Sequence, residues 1–169
     1  DSDGYTNEDP ERPFAYKYRD YVIRSLNEDK PFDQFLLEQI AGDELVQLRY
    51  GTLASVTTNH AARELLVATG YLRMGPDGTS GGTDPDTARN HVLADTLKIV
   101  STSLLGLSVG CAQCHDYPYD PISHVDYHRM RAVFEPAYDP KAWRSPQERP
   151  VSLYTDANRK QAAEVEAEA

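Results

Sequence analysis

The sequence predicts a mainly α, irregular helical domain with long loops and little or no sheet. Three observations predict it. Apolar residues recur at three- and four-residue spacing along several segments; those segments begin and end at capping residues, Gly or Pro; and no stretch alternates apolar with polar residues as a half-buried strand does. There is no internal repeat.

Pro13 suits a first helical turn, and Phe14, Tyr18, Tyr21, Val22 and Ser25 or Leu26 trace one face of a helix running to Asn27. Arg12, Arg19 and Arg24 fall on its more polar sides. Lys30-Pro31 interrupts the pattern. Phe32, Phe35, Leu36, Gln39 and Ile40 resume it, predicting a second helix with Gly42 as its stop. Residues 43–58 are weakly periodic and contain Gly51, so they are expected to form a loop with a short helical turn near 45–48. Asn59 is a good cap for a third helix carrying Ala61, Leu65 and Leu66 and closing at Thr69 and Gly70.

Residues 73–83 hold four Gly and one Pro, which excludes a regular element and predicts a loop able to wrap a ligand. Asp84 can cap and Pro85 can open a fourth, long helix, with Ala88, Val92, Leu93, Leu97, Val100, Leu104 and Leu105 as its buried stripe and Gly106 as its end. Ser123 with Asp126 reads as a capping box, with Ile122 and Tyr127 as the accompanying hydrophobic staple. Met130, Val133 and Phe134 are the buried face expected of that fifth helix, and Pro136 ends it. Pro140, Pro146 and Pro150 keep residues 138–153 extended or looped, before an acidic, helix-favouring C-terminus.

Composition narrows the function classes. The 169 residues, 40% apolar and 26% charged, suffice for one domain with a core of its own. No apolar run reaches bilayer length, so the chain is not expected to be transmembrane. A net charge of −10 repels phosphate backbones, which argues against a nucleic-acid partner. The chain opens Asp1-Ser2-Asp3-Gly4 without Met, basic region or apolar leader, and it ends without a helix stop signal; both ends read as cuts in a longer precursor. The acidic stretch of residues 1–9 does not fit an EF-hand, because aligning Gly4 with the loop's glycine puts Pro10 where a bidentate Glu is needed.

The chemistry sits in one pentapeptide. Both cysteines fall in Cys111-Ala112-Gln113-Cys114-His115, the C-x-x-C-H pattern of covalent c-type haem attachment. Two thiols one turn apart can form thioethers with one edge of a porphyrin, and the adjacent imidazole supplies an axial ligand to iron. A redox disulfide would instead expect a strand before the motif and a βαβ setting. A zinc site would need a fourth ligand and usually a second Cys pair. One covalent haem c is therefore the expected cofactor, with Cys111 and Cys114 as anchors and His115 as proximal iron ligand. Residues 1–155 are read as the haem-binding helical domain, and 156–169 as the start of a helical acidic segment continuing beyond it.

The run from Leu104 through Cys111-Ala112-Gln113-Cys114-His115-Asp116-Tyr117-Pro118-Tyr119-Asp120-Pro121 to Ile122, followed by Asp126-Tyr127-His128 and residues 131–136, resembles the planctomycete-type cytochrome c domain of large secreted bacterial proteins. The resemblance extends to residues 18–23, 31–35, 39–44 and 68–73, and so covers about residues 1–145. It implies a helical c-type cytochrome domain, secreted or periplasmic. After the haem His that family usually carries Asp-His-Lys/Arg-Tyr/Phe-Asp-Pro, whereas this chain has Tyr117 in place of the second His. A His at that position is then not needed as the iron's other ligand.

The sixth iron ligand has three candidates. Met74 lies in the Gly-rich loop, where a thioether could reach over a haem edge; His91 has Asp95 four residues on to orient its imidazole; His128 shares a face with His124 on the fifth helix. Met130 reads as core and His60 as surface. Arg73, Arg129 and Arg131 can either hold haem propionates or form surface ion pairs. The first functional expectation is one-electron transfer to a redox partner with a basic surface, with assembly alongside other haem domains or copies as a further arrangement. The alternatives are a five-coordinate haem enzyme or sensor for peroxide or a gas, and a secreted module in which haem is mainly a structural staple. Haem attachment of this type takes place outside the cytoplasmic membrane, so an extracytoplasmic location is expected.

Overall fold

Helix α1 (Ala15–Asn27) starts where the sequence places it, and its buried side chains are Tyr21 and Ser25. Phe14 stands at the N-cap, ahead of the first helical turn, and Leu26 sits about 100° round from Ser25. Both are therefore exposed, Leu26 by 70%, contrary to the expected stripe. The computed structural model describes residues 13–75, 84–138, 151 and 154–168. The Gly-rich stretch 76–83, the Pro-rich 139–150 and the acidic N-terminus lie outside the described residues.

The described residues divide into two compact units, one formed by residues 13–72 with the C-terminal helix, the other by residues 73–138. Mainly α architecture holds throughout. Among the described residues the single β feature is an isolated antiparallel bridge between Tyr117 and Ile122.

In the first unit, helix α2 (Phe32–Tyr50) does not stop at Gly42 as the sequence suggested. The chain kinks at Ala41, whose φ of −131° and ψ of 28° are non-helical, and then continues for two more turns to Gly51. Gly51, with φ of +79°, supplies the left-handed stop assigned to Gly42. Gly42 serves packing instead: a Cβ there would overlap the backbone carbonyl oxygen of Leu65 in α3 (His60–Ala68). Residues 43–50, expected as loop, are thus helix, and a 3-10 turn (Leu53–Thr57) links α2 to α3. Asn59 caps α3 as read, its side-chain oxygen accepting from the backbone N–H of Ala61 at 2.9 Å and of Ala62 at 3.2 Å. Val46, Val56, Ala62 and Leu65 make the apolar core.

A polar knot ties α1 to α2 in the same unit. Glu38, 4% exposed, accepts hydrogen bonds from Tyr21 Oη at 2.8 Å and Lys30 Nζ at 2.6 Å on one oxygen, and from Gln34 Nε2 at 2.7 Å on the other. Beside it Tyr18 donates to Gln39, and burial pushes the Tyr18 hydroxyl pKa up to about 12.

In the second unit, Asp84 caps and Pro85 opens α4 (Pro85–Val100), its side chain accepting from Thr87 N–H at 3.0 Å. One turn of π-helix (Ser101–Leu105) follows and ends in Gly106 at φ of +66°. Ser101, four residues after Leu97, is still buried, and beyond it the wider turn shifts the helical register so that Leu105, expected in the stripe, is 57% exposed. Helix α5 (His124–Phe134) has the capping box of Ser123 and Asp126. Its inward stripe is Tyr127, Met130 and Phe134. Val133 lies off that stripe and is 73% exposed, correcting the expected face. A 3-10 turn (Glu135–Tyr138) completes the unit, and Arg73 lies over the Tyr138 ring at 5.9 Å. Helix α6 (Asp156–Glu168) forms the acidic C-terminal segment.

Candidate functional site

Between α4 and α5 the chain makes a single 3-10 turn (Val109–Gln113) that carries the first part of the C-x-x-C-H motif. With three residues per turn, positions three apart eclipse. Val109 and Ala112 consequently both point inward, into a cluster with Leu97 and Tyr127. Cys111 and Cys114, also three apart, are both exposed, as free thiols. Cys111 lies inside the turn and Cys114 is its C-cap residue, so the burial of Val109 and Ala112 leaves both thiols at the surface. Gly110 rests on the Cβ and Cγ of Lys98, 3.6 Å from where its own Cβ would be, which seats the turn on α4.

His115 follows directly and is exposed. Its Nδ1 lies 2.8 Å from the carbonyl oxygen of Asp116. A carbonyl can only accept, so Nδ1 carries the proton and the Nε2 lone pair is left free to bind a metal. This is the tautomer-fixing contact that ligating imidazoles usually have.

The segment after His115 is clamped by its own aspartates. Asp116 Oδ1 accepts from the backbone N–H of His124 at 2.7 Å, tying the motif to the start of α5. Asp120 Oδ2 accepts from Ser108 N–H at 3.0 Å, tying the same segment to the residue before the turn. Tyr117 N–H donates to Ile122 O at 2.9 Å, and the Tyr117 side chain packs against the Leu97 and Tyr127 cluster. Tyr117 is thus spent on core packing. Nothing in the local sequence announces these roles of Asp116 and Asp120, because their partners lie eight and twelve residues away.

The other predicted ligands occupy separate places: Met74 ahead of α4, His91 on α4 and His128 on α5. Met74 is half-buried, and the Cβ position of Gly75 beside it faces Ile99 Cδ1 at 3.2 Å and Asp95 Cβ at 3.6 Å. Asp95, Lys98 and Ile99 lie within one turn of α4, so the segments bearing Met74 and Cys111 dock on adjacent residues of the same helix. His91 is exposed, seven residues before Lys98 and about 10 Å back along the axis. His128 is exposed and held by His124, the two Nε2 atoms 3.1 Å apart. Of the arginines proposed for propionates, Arg129 pairs with Asp126 at 3.0 Å and Arg131 with Glu135 at 3.0 Å.

The chain matches the family PSCyt2, described as a protein of unknown function (DUF1549), over residues 1–139. The chain belongs to this family. No curated protein and no solved structure matches it. The PSCyt2 match spans the whole motif and all the residues that clamp it.

One buried group in this site is unsatisfied. Tyr127 is 1% exposed and its hydroxyl has no hydrogen-bond partner, the Arg131 guanidinium approaching it without meeting hydrogen-bond geometry. Burial raises its pKa. An orphaned hydroxyl is a net cost, so Tyr127→Phe is expected to hold or raise stability by up to about 1 kcal/mol. Chemical denaturation of the two proteins side by side checks this, and a loss of stability would mean that the hydroxyl has a partner after all.

Proposed function

We propose that this PSCyt2 domain carries one haem c, bound through thioethers of Cys111 and Cys114 with His115 Nε2 as an axial iron ligand, and that it transfers single electrons. The observation that carries the reading is the donor set: two exposed thiols, one in a 3-10 turn and the other at its C-cap, beside an imidazole whose other nitrogen is already committed to a backbone carbonyl. That set fits haem c. The bound group would supply one-electron chemistry at iron, with a potential tuned by its axial ligands, its exposure and nearby charge.

What this chain does for such a group is hold and orient it. Asp116 fixes the His115 tautomer through its carbonyl and the start of α5 through its carboxylate, so the imidazole would be held in one orientation toward a bound iron. Val109 and Ala112 anchor the turn in the core, which leaves both thiols at the surface. Met74 is the sixth ligand favoured here, because its segment and the Cys turn dock on neighbouring residues of α4, whereas His91 lies two turns away and His128 is engaged with His124. A Met and His ligand pair would give a bound haem a higher potential than two imidazoles. The charge of −10 favours a redox partner with a basic surface, and such an association weakens as salt rises. The resemblance to secreted cytochromes supports attachment and function outside the cytoplasm.

The test is a denaturing mass and an oxidised and reduced visible spectrum of protein produced in a host that matures c-type cytochromes. The expected result is a mass gain of one haem that is lost in Cys111→Ser/Cys114→Ser, with a low-spin spectrum unchanged by carbon monoxide. Met74→Ala should then turn the spectrum high-spin and sensitive to carbon monoxide. A wild-type chain already sensitive to carbon monoxide would replace electron transfer by a five-coordinate enzyme or sensor, and no haem in the wild type would overturn the reading altogether.

A further inference from the structure

The two histidines at the start of α5 carry more than the haem reading uses. His124 and His128 stand four residues apart on one helix face, their rings 4.5 Å apart and at 89° to one another. Their Nε2 atoms are 3.1 Å apart, and His124 Nε2 is also 3.0 Å from the carbonyl oxygen of Gln113. The peptide oxygen only accepts, so His124 carries its proton on Nε2 in this arrangement. His128 Nε2 then faces that proton with its lone pair. The His128 nitrogen and the Gln113 oxygen thus both lie within hydrogen-bond distance of His124 Nε2.

We propose that His124 Nε2, His128 Nε2 and the Gln113 carbonyl oxygen form a binding site for a divalent first-row cation of the zinc and copper class. Both distances from His124 Nε2 are those of ligands sharing one metal: donors bound at about 2.1 Å and separated by about 90° to 110° at the ion lie about 3.0 to 3.4 Å from each other. Two histidines at i and i+4 on one helix face are a recurring zinc pair. Imidazole nitrogen selects zinc, copper and nickel over magnesium and calcium, which prefer all-oxygen shells. Binding needs no loss of a proton from the protein. His124 moves its proton from Nε2 to Nδ1, and both Nε2 lone pairs then face the ion.

Among the described residues, no three His, Cys, Asp or Glu side chains converge, so two imidazoles and a peptide oxygen leave coordination positions for water or for a ligand from another molecule. His128 is exposed and His124 is half-buried, which leaves the pair accessible to such a ligand. Neither Cys111, Cys114 nor His115 takes part, and the site stands or falls apart from the haem reading.

The experiment is a zinc titration by calorimetry on the full chain with both thiols blocked, as thioethers where they carry haem and by alkylation where they do not. One zinc per chain is expected, unaffected by excess magnesium. His128→Ala should weaken it on the order of a hundredfold by removing the chelate. His124→Ala should do the same, but it also removes the contact to Gln113, so His128→Ala with an unchanged far-UV spectrum is the deciding variant. Copper(II) bound to the wild type should show coupling to two nitrogens in its electron spin resonance spectrum, and to one in His128→Ala. Zinc uptake that persists in His128→Ala, or an absence of uptake in the wild type, overturns the proposal.

Discussion

Gly42→Ala is expected to destabilise the chain by about 3 kcal/mol, with a fall in melting temperature of about 10 °C. The added methyl would overlap the carbonyl oxygen of Leu65 and also meet Thr69 Cγ2 at 3.1 Å. An overlap with the far end of a flexible side chain is relieved by a rotamer change, but a backbone carbonyl inside α3 can retreat only if the helix moves. Moving α3 would open the cluster of Val46, Val56, Ala62 and Leu65. Gly51→Ala is the control. Gly51 has φ of +79° with nothing near its Cβ position, so alanine there carries only the left-handed backbone cost of about 1 kcal/mol. A reading of Gly42 as the helix stop predicts only the left-handed cost of about 1 kcal/mol at that position, so the size of the Gly42→Ala loss in thermal melts, set beside that of Gly51→Ala, decides between them. Equal or inverted losses would mean that α2 and α3 do not approach as closely as described.

That pair of glycines shows what the sequence could and could not supply. A glycine at a helical position has the same one-letter signal whether it ends the helix or lets another backbone come close. Only the position of α3 separates the two, and that is a tertiary fact. The same limit explains Leu105 and Val133. Periodicity identified α4 and α5, but one π turn and a stripe set by Tyr127 decide which apolar residues face inward. Features written in local chemistry were legible: Asn59, Asp84 and the box of Ser123 with Asp126 all cap where their types and spacing said they would. The candidate site divides in the same way. The pentapeptide of Cys111, Cys114 and His115 stands out in one dimension because both cysteines of the chain lie in it. The clamps from Asp116 to His124 and from Asp120 to Ser108, and the contact of His124 with Gln113, span eight to twelve residues with no periodic signal to announce them.

The second large effect is expected at Glu38. Glu38→Ala should cost about 3 kcal/mol, because it leaves Lys30 as an uncompensated, mostly buried cation and removes the acceptor for Tyr21 and Gln34. The pair itself contributes far less than that loss. Desolvation of two charges offsets most of their attraction, so the double variant Lys30→Met/Glu38→Leu should recover most of the stability lost in Glu38→Ala. The pH dependence gives an independent reading. Burial pushes the Glu38 carboxyl up, but hydrogen bonds from Lys30, Gln34 and Tyr21, with the Lys30 charge, outweigh it and hold the pKa below its ordinary 4.5. The folded state therefore binds the Glu38 proton less readily than the unfolded chain does. Stability from this group is full at neutral pH, begins to fall as pH drops toward 4.5, and is gone once pH is below the folded value. Tyr21 bounds the other side. Its hydroxyl is held neutral by burial and by donating to Glu38, with a pKa raised above the ordinary 10.0, so its contribution is lost as pH climbs past that value. Denaturant midpoints measured from pH 3 to 11 should show a plateau whose acid shoulder is shallower in Lys30→Met/Glu38→Leu, since that variant has no carboxylate at position 38 to protonate. An acid shoulder identical in both proteins would assign acid sensitivity to other carboxylates and leave the knot a packing feature alone.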